Sequence, residues 1–220
     1  MYSIQLTAPF RLESGEQIEN LQIGFHIYGK LNPAKDNVVW VCHALTANSD
    51  VFSWWEGLFG EEKLFNPEEH FIVCINSLGS CYGTTGPKSP GVNRRPLLDE
   101  FPFITTRDMA RINEELRLIL GIEKISLLIG ASLGGQQALE WAIGSPEVHE
   151  RVSLIATNAR HSAFGIAFNE SQRLAIFSDS TYGNGRIEGG RQGLIAARSI
   201  ALLSYRTYQS YVKTQTNPGN

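Results

Sequence analysis

The chain has no apolar run approaching the roughly 18 residues that a membrane-spanning helix needs. Its first residues, Met1-Tyr2-Ser3-Ile4-Gln5, show no charged stretch leading into an apolar one, so no secretory signal is visible. Cysteine is scarce. Three cysteines in 220 residues, an odd number, suit reduced thiols better than a disulfide framework. A concentrated basic face is also lacking, and the net charge of −3 argues against a nucleic-acid binder. There is no internal repeat, no low-complexity tract and no metal-ligand spacing of His, Cys or carboxylates. These absences leave a cytoplasmic protein with no membrane or nucleic-acid partner as the expectation. With 42% hydrophobic and 19% charged residues, the chain is long enough to bury one substantial core.

What is present alternates between two patterns. Gln22 to Tyr28 reads as a half-buried, antiparallel strand. Val38–Cys42, Phe71–Ile75, Ile125–Ile129 and Val152–Ala156 are short apolar runs of the kind expected for strands covered on both faces. Cys42 and Cys74 fall inside such runs and read as small buried hydrophobes. Helical patterns lie between the strands. Thr105 to Asp108 resembles a capping box, with Met109, Ile112, Leu116 and Leu120 following at helical spacing and Gly121 as a stop. Further helices are expected over Leu133–Ile143, Phe168–Ser178 and Gly193 to about Tyr208. Strands alternating with helices predict a mostly parallel sheet with crossover helices, followed by the start of a helical lid. Residues 1–160 would form the core and residues 161–220 an incomplete lid, with the final strands of such a sheet missing.

The run Leu127-Leu128-Ile129-Gly130-Ala131-Ser132-Leu133-Gly134-Gly135 matches the G-x-S-x-G nucleophile elbow. There a serine sits on a strained turn between strand and helix, with glycines where the two backbones pass closely. These glycines do not make the G-x-G-x-x-G spacing of a dinucleotide site. The bland alternative is that Ser132 only caps a helix.

A serine hydroxyl needs a base, and in this arrangement the chain order is Ser, then Asp or Glu, then His. After Ser132 the histidines are His149 and His161, and the one aspartate is Asp179. His149 lies after the elbow helix, on the wrong side of the sheet. His161 reads as a loop or lid histidine in preference to a base. His43 reads as a strand-end histidine bonded to its neighbours. A tetrahedral intermediate needs two backbone N–H donors, one of them from the residue after the nucleophile. Lys88, Arg94 and Arg95 read as a solvated basic loop in preference to a phosphate site. Cys81 has no neighbour that would activate it, and Trp54 and Trp55 read as core or pocket wall.

Four ordered segments make the pattern specific: Cys42 to Thr46, Asn76 to Pro87, Gly130 to Trp141 and Ile166 to Glu170. Together they resemble the homoserine O-acetyltransferase family of α/β-hydrolase-fold enzymes, over about Tyr28 to about Tyr208. The resemblance implies transfer of an acetyl group from acetyl-CoA to L-homoserine through a seryl-acyl enzyme, as in methionine biosynthesis. It implies Ser132 as nucleophile, and Leu45 and Leu133 as oxyanion-hole amides. Arg198 would anchor the amino-acid carboxylate, with Tyr205 and Thr46 also binding substrate. It implies no metal and no tightly bound cofactor, with acetyl-CoA as co-substrate, and a homodimer formed through the lid helices. Members often carry a glycine where this chain has Ala47. Their catalytic Asp and His lie in a C-terminal part absent here, so a C-terminally truncated, inactive chain is the expectation. A homoserine succinyltransferase or a serine esterase on the same fold remain alternatives, as does an inactive fragment.

Overall fold

A computed structural model describes residues 1–91 and 94–215. It divides into two compact units, Met1–Ala159 and Arg160–Asn220.

The first unit opens with β1 (Tyr2–Gln5), a small hairpin of β2 (Phe10–Arg11) and β3 (Gln17–Ile18), and β4 (Gln22–Tyr28). Then come β5 (Val38–Cys42), the short α1 (Val51–Trp54), β6 (Phe71–Ile75), α2 (Thr106–Ile119), β7 (Leu127–Ala131), α3 (Leu133–Gly144) and β8 (Val152–Ile155). The six-stranded sheet runs β1-β4-β6-β5-β7-β8. β4 is antiparallel to both β1 and β6, whereas β6, β5, β7 and β8 are parallel. The antiparallel reading of Gln22–Tyr28 and the parallel reading of the later runs both hold.

β5 explains why the sheet is centred where it is. Its Val-Val-Trp-Val-Cys run is buried along its whole length, and each fully buried aliphatic side chain of this size stabilises by about 1.5–3 kcal/mol. Trp40 meets Trp141 of α3 edge-on at 5.1 Å and donates its Nε1–H to Asn113 Oδ1 of α2 at 2.8 Å. One buried indole thus joins the strand to both helices on that face. Helix α2 starts as its sequence says: Thr105 accepts from Asp108 N–H, and the Asp108 carboxylate accepts from Thr105 N–H at 3.0 Å. Asp108 also accepts from Glu13 N–H at 2.8 Å, so the cap holds the N-terminal hairpin as well.

Three expectations are corrected. The third apolar run pairs later than its hydrophobicity suggests, because Ile125 makes only an isolated bridge to His149 and β7 proper starts at Leu127. The run Val152–Ala156 is not covered on both faces. β8 pairs only with β7 among the described residues, and Val152, Leu154 and Ile155 are 41%, 40% and 38% exposed. Ala156 leaves the strand with φ +47.

The third correction lies in the second unit, which consists of α4 (Ala163–Phe177), α5 (Arg191–Leu202) and α6 (Tyr208–Gln215). Helix α4 begins five residues earlier than its apolar spacing indicates, because Ser162 Oγ accepts from Gly165 N–H at 3.1 Å and starts the helix there. The single helix expected from Gly193 to Tyr208 is two. Ser204 and Tyr205 close tight turns onto Ala201 and Leu202, and Thr207 Oγ1 accepts from Ser210 N–H at the start of the next helix. Helices α4 and α5 pack closely at Gly193, where a Cβ would stand 2.6 Å from the Ala175 carbonyl oxygen. Among the described residues no helix is long and apolar enough to cross a membrane.

Candidate active site

Ser132 stands alone between the end of β7 and the start of α3, exposed, with φ +55 and ψ −121. An L-residue reaches that region at a cost of about 1–3 kcal/mol, and such strain persists only where the surroundings over-determine it. Here they do. A Cβ on Gly130 would lie 2.3 Å from the Gly134 carbonyl oxygen, and one on Gly134 would lie 1.9 Å from the Cys42 carbonyl oxygen. Ser132 N–H donates to the Ile155 carbonyl at 3.0 Å, and Thr157 Oγ1 donates to the Ser132 carbonyl at 2.8 Å. Gly135 makes room for a residue beyond β8. The space of its missing Cβ is filled by Thr157, whose Cγ2 would be 2.5 Å away.

Two backbone amides lie at the adjoining loop and helix start. Leu133 is the first residue of α3, where N–H groups have no partner within the helix. Leu45 is 68% exposed on the loop that leaves β5, with Thr46 exposed beside it. Among the described residues neither Leu45 N–H nor Leu133 N–H donates to another group. The base of that loop touches the helix start, for a Cβ on Gly134 would also be 2.7 Å from the His43 carbonyl oxygen.

No histidine of the first unit is bonded to Ser132 Oγ. His26 Nδ1 is paired with Ser49 Oγ at 2.8 Å, and His70 Nδ1 lies 3.2 Å from the Asn66 carbonyl. His149 Nδ1 lies 3.0 Å from the Ser145 carbonyl, and its ring meets Trp141 edge-on at 4.8 Å. Its bridge to Ile125 puts it at the strand-entry side of the sheet, as its sequence position indicates. His43 is 2% exposed; its Nδ1 lies 2.8 Å from the Ala44 carbonyl, and its Nε2 accepts from Ser77 N–H at 3.0 Å. Burial lowers the pKa of His26, His43 and His149 below the ordinary imidazole value. The reading of His43 as a strand-end histidine bonded to its neighbours therefore holds. His161 is exposed at the start of the second unit.

In the second unit, Arg198 donates from Nη2 to the Tyr205 hydroxyl at 2.9 Å, with its guanidinium carbon 5.9 Å from the Tyr205 ring centre. The two residues singled out seven apart are thus brought together. Asp179 is occupied elsewhere: it accepts from Gly193 N–H at 3.0 Å and from Thr181 N–H and Oγ1 at 2.9 and 2.7 Å. Those donors, the Gly193 amide foremost, hold its carboxyl down to about 2. It secures the first turn of α5.

The remaining candidates stay modest. Burial pushes the Cys42 thiol up to about 12 and raises Cys74 as well, which suits two small core side chains. Cys81 is exposed, as are Lys88, Arg94 and Arg95. Trp54 and Trp55 stack at 5.1 Å and pack against the core face opposite Trp40. Among the described residues no group of three or more His, Cys, Asp or Glu side chains is placed to hold a metal.

A buried polar chain behind the loop has no counterpart in the sequence reading. Gln137 of α3 donates to Ser77 Oγ at 3.1 Å, Ser77 N–H reaches His43, and Asn76 Oδ1 accepts from Ser49 N–H at 2.7 Å. Asn76 and Gln137 both belong to the ordered segments, but nothing in spacing alone reveals that they meet His43 and Ser49.

The profile of the alpha/beta hydrolase fold matches residues 37–190. Homoserine O-acetyltransferase of Cyclobacterium marinum is 50% identical over 206 residues, covering 93% of this chain and 59% of that protein. The enzyme of the same name from Chlorobium chlorochromatii is 45% identical, covering 92% of this chain and 58% of that protein. Among solved structures, homoserine O-acetyltransferase from Bacillus anthracis superposes with a TM-score of 0.90 at 26% identity, covering 100% of this chain and 64% of that one. The chain therefore spans less than two thirds of the length of the relatives it matches.

Proposed function

The chain belongs to the alpha/beta hydrolase fold family, and from that premise we propose that it carries the nucleophile half of a homoserine O-acetyltransferase site. The observation that carries the reading is Ser132, exposed at φ +55 and ψ −121 beside two uncommitted backbone N–H groups. The 50% identity to the Cyclobacterium marinum enzyme of that name supports the choice of reaction.

In this reading Ser132 Oγ attacks the thioester carbonyl of acetyl-CoA. Leu45 and Leu133 N–H stabilise the oxyanion, and the CoA thiol leaves with a proton. The hydroxyl of L-homoserine then takes the acetyl group from Ser132. Arg198 binds the amino-acid carboxylate through its planar fork, which Tyr205 steadies, and Thr46 lines the acyl site. No residue of this chain is assigned as the base or as its orienting carboxylate. No tightly bound cofactor is needed. In this reading the helices of the second unit form the contact of a homodimer. Three free thiols, two of them buried, support a cytoplasmic setting.

The test is a chimera in which this chain replaces its aligned part of the Cyclobacterium marinum enzyme. CoA release from acetyl-CoA that requires L-homoserine and disappears in Ser132→Ala is the expected result. Release that ignores added homoserine would make the site a hydrolase, and preference for succinyl-CoA would change the donor.

A further inference from the structure

The Ala44–Leu45 peptide joins the proposed oxyanion amide to a carbonyl that is held twice. The Ala44 oxygen lies 2.8 Å from His43 Nδ1 and accepts from Ala47 N–H at 3.0 Å. A trans amide is planar, with its C=O and N–H on opposite sides of the C–N bond, and no cis peptide occurs among the described residues. Fixing the oxygen therefore fixes the direction of Leu45 N–H, on the side away from His43.

The proton needed on Nδ1 is itself specified. Ser77 N–H donates to His43 Nε2 at 3.0 Å, so Nε2 is a bare lone pair and the ring hydrogen sits on Nδ1. The only role open to Nδ1–H is donation to the Ala44 carbonyl. Behind Ser77, Gln137 donates to its Oγ at 3.1 Å, from the same helix that begins with Leu133. His43, Ser77 and Gln137 are 2%, 5% and 1% exposed, so this chain is shielded from water. The far end of the loop is pinned independently, by Asn76 Oδ1 on Ser49 N–H at 2.7 Å.

We propose that His43, locked as its Nδ1–H tautomer by Ser77 N–H, is a positioning residue that aims the Leu45 amide at the oxyanion. The loop tip at Leu45 and Thr46 is exposed, and among the described residues no side chain is hydrogen-bonded to its Leu45 N–H, so its direction is set from the buried end. The proposal rests on the oxyanion role given to Leu45 above.

Two measurements test it. Ring nitrogen NMR of the unaltered protein at neutral pH is expected to show His43 protonated at Nδ1 and bare at Nε2; the opposite tautomer overturns the proposal. Backbone amide shifts are then compared with single-turnover acetylation of Ser132 by p-nitrophenyl acetate, followed by intact mass in the chimera described above, whose remaining part supplies a base. His43→Asn keeps a donor near the Nδ1 position, whereas His43→Leu keeps none, and both lose the acceptor for Ser77. His43→Leu is expected to move the Leu45 amide resonance, leave that of Leu133 in place, and slow acetylation at least about 10-fold. His43→Asn is expected to stay within about 3-fold, a rescue that a merely structural role would not give. An unmoved Leu45 amide in His43→Leu, or equal losses in both variants, overturns the proposal. Absence of any Ser132 acetylation in the chimera with His43 unaltered counts against the oxyanion reading, while the tautomer and the Leu45 shift still decide the role of His43.

Discussion

The carbonyl oxygen of Cys42 stands 1.9 Å from the point where a Cβ on Gly134 would lie. The His43 carbonyl oxygen would be 2.7 Å away as well, so the end of β5 and the first turn of α3 are in backbone contact, with atoms that cannot rotate away. Gly134→Ala should force the helix start off the strand end, with overpacking of about 3 kcal/mol or more. In a domain of this size that corresponds to a fall in Tm of about 6 °C or more, readable by thermal denaturation. A Tm unchanged from that of the unaltered chain would mean that the two elements are not so close.

Ser132→Gly should act in the opposite sense. With φ +55 and ψ −121 the serine pays for a backbone conformation that glycine adopts freely. The substitution is expected to raise stability by about 1 kcal/mol while removing the nucleophile. Ser132→Ala removes the same hydroxyl but keeps the strained Cβ, so it should gain nothing. Chemical denaturation of the pair separates the two effects: equal midpoints would show that the turn is not strained.

Much of this site was legible in the sequence, because its chemistry depends on close backbone approach, and close approach demands glycine. Gly130 and Gly134 announce the crossing of strand and helix before any coordinates are known. Arg198 and Tyr205 are singled out by resemblance, and the turn after Leu202 brings the Tyr205 hydroxyl back to the Arg198 guanidinium. The illegible parts are those set by partners distant in the chain. Thr157 fills the space left by Gly135, and Ser77 selects the tautomer of His43; neither relation has a local signature. Val-Ser-Leu-Ile of β8 has the composition of a buried strand, and composition does not say how many strands pair with it in a chain that spans about 59% of a matched relative. The split of the last expected helix was hidden by apolar residues that continue through Leu203, while Ser204 and Thr207 redirect the backbone.

Asp179 gives the second unit a dependence on acid. Its carboxyl is held down to about 2 by Gly193 N–H and by the Thr181 donors. A carboxyl depressed in the folded state contributes stability that is present above its unfolded value, about 3.9, and lost as pH falls through that value toward 2. The amide of Gly193 should therefore lose hydrogen-exchange protection over that window. Asp179→Ala should already lack this protection at neutral pH, and Asp179→Asn should keep part of it by accepting one bond. Equal protection of Gly193 in Asp179→Ala and the unaltered chain would show that the carboxylate does not cap α5.

His149 predicts a separate effect nearer neutrality. Its pKa is lowered chiefly by burial, with its ring edge-on to Trp141 and its Nδ1 at the Ser145 carbonyl. The nearby Glu114 carboxylate favours the charged ring, but Arg117 opposes it and is bound to that same carboxylate. For a histidine depressed in the folded state the unfolded chain binds more protons between the two pKa values. Its contribution is thus complete above the unfolded value, about 6.5, and is lost as pH falls through it toward the lower folded value. His26 and His43 shift in the same direction, so stability should rise from pH 5 to pH 7 by more than one group supplies. His149→Phe, which keeps an aromatic edge against Trp141, should flatten part of that slope while the other two histidines retain the rest. Denaturation midpoints of both proteins at pH 5, 6 and 7 measure the difference, and identical slopes would remove His149 from the acid response.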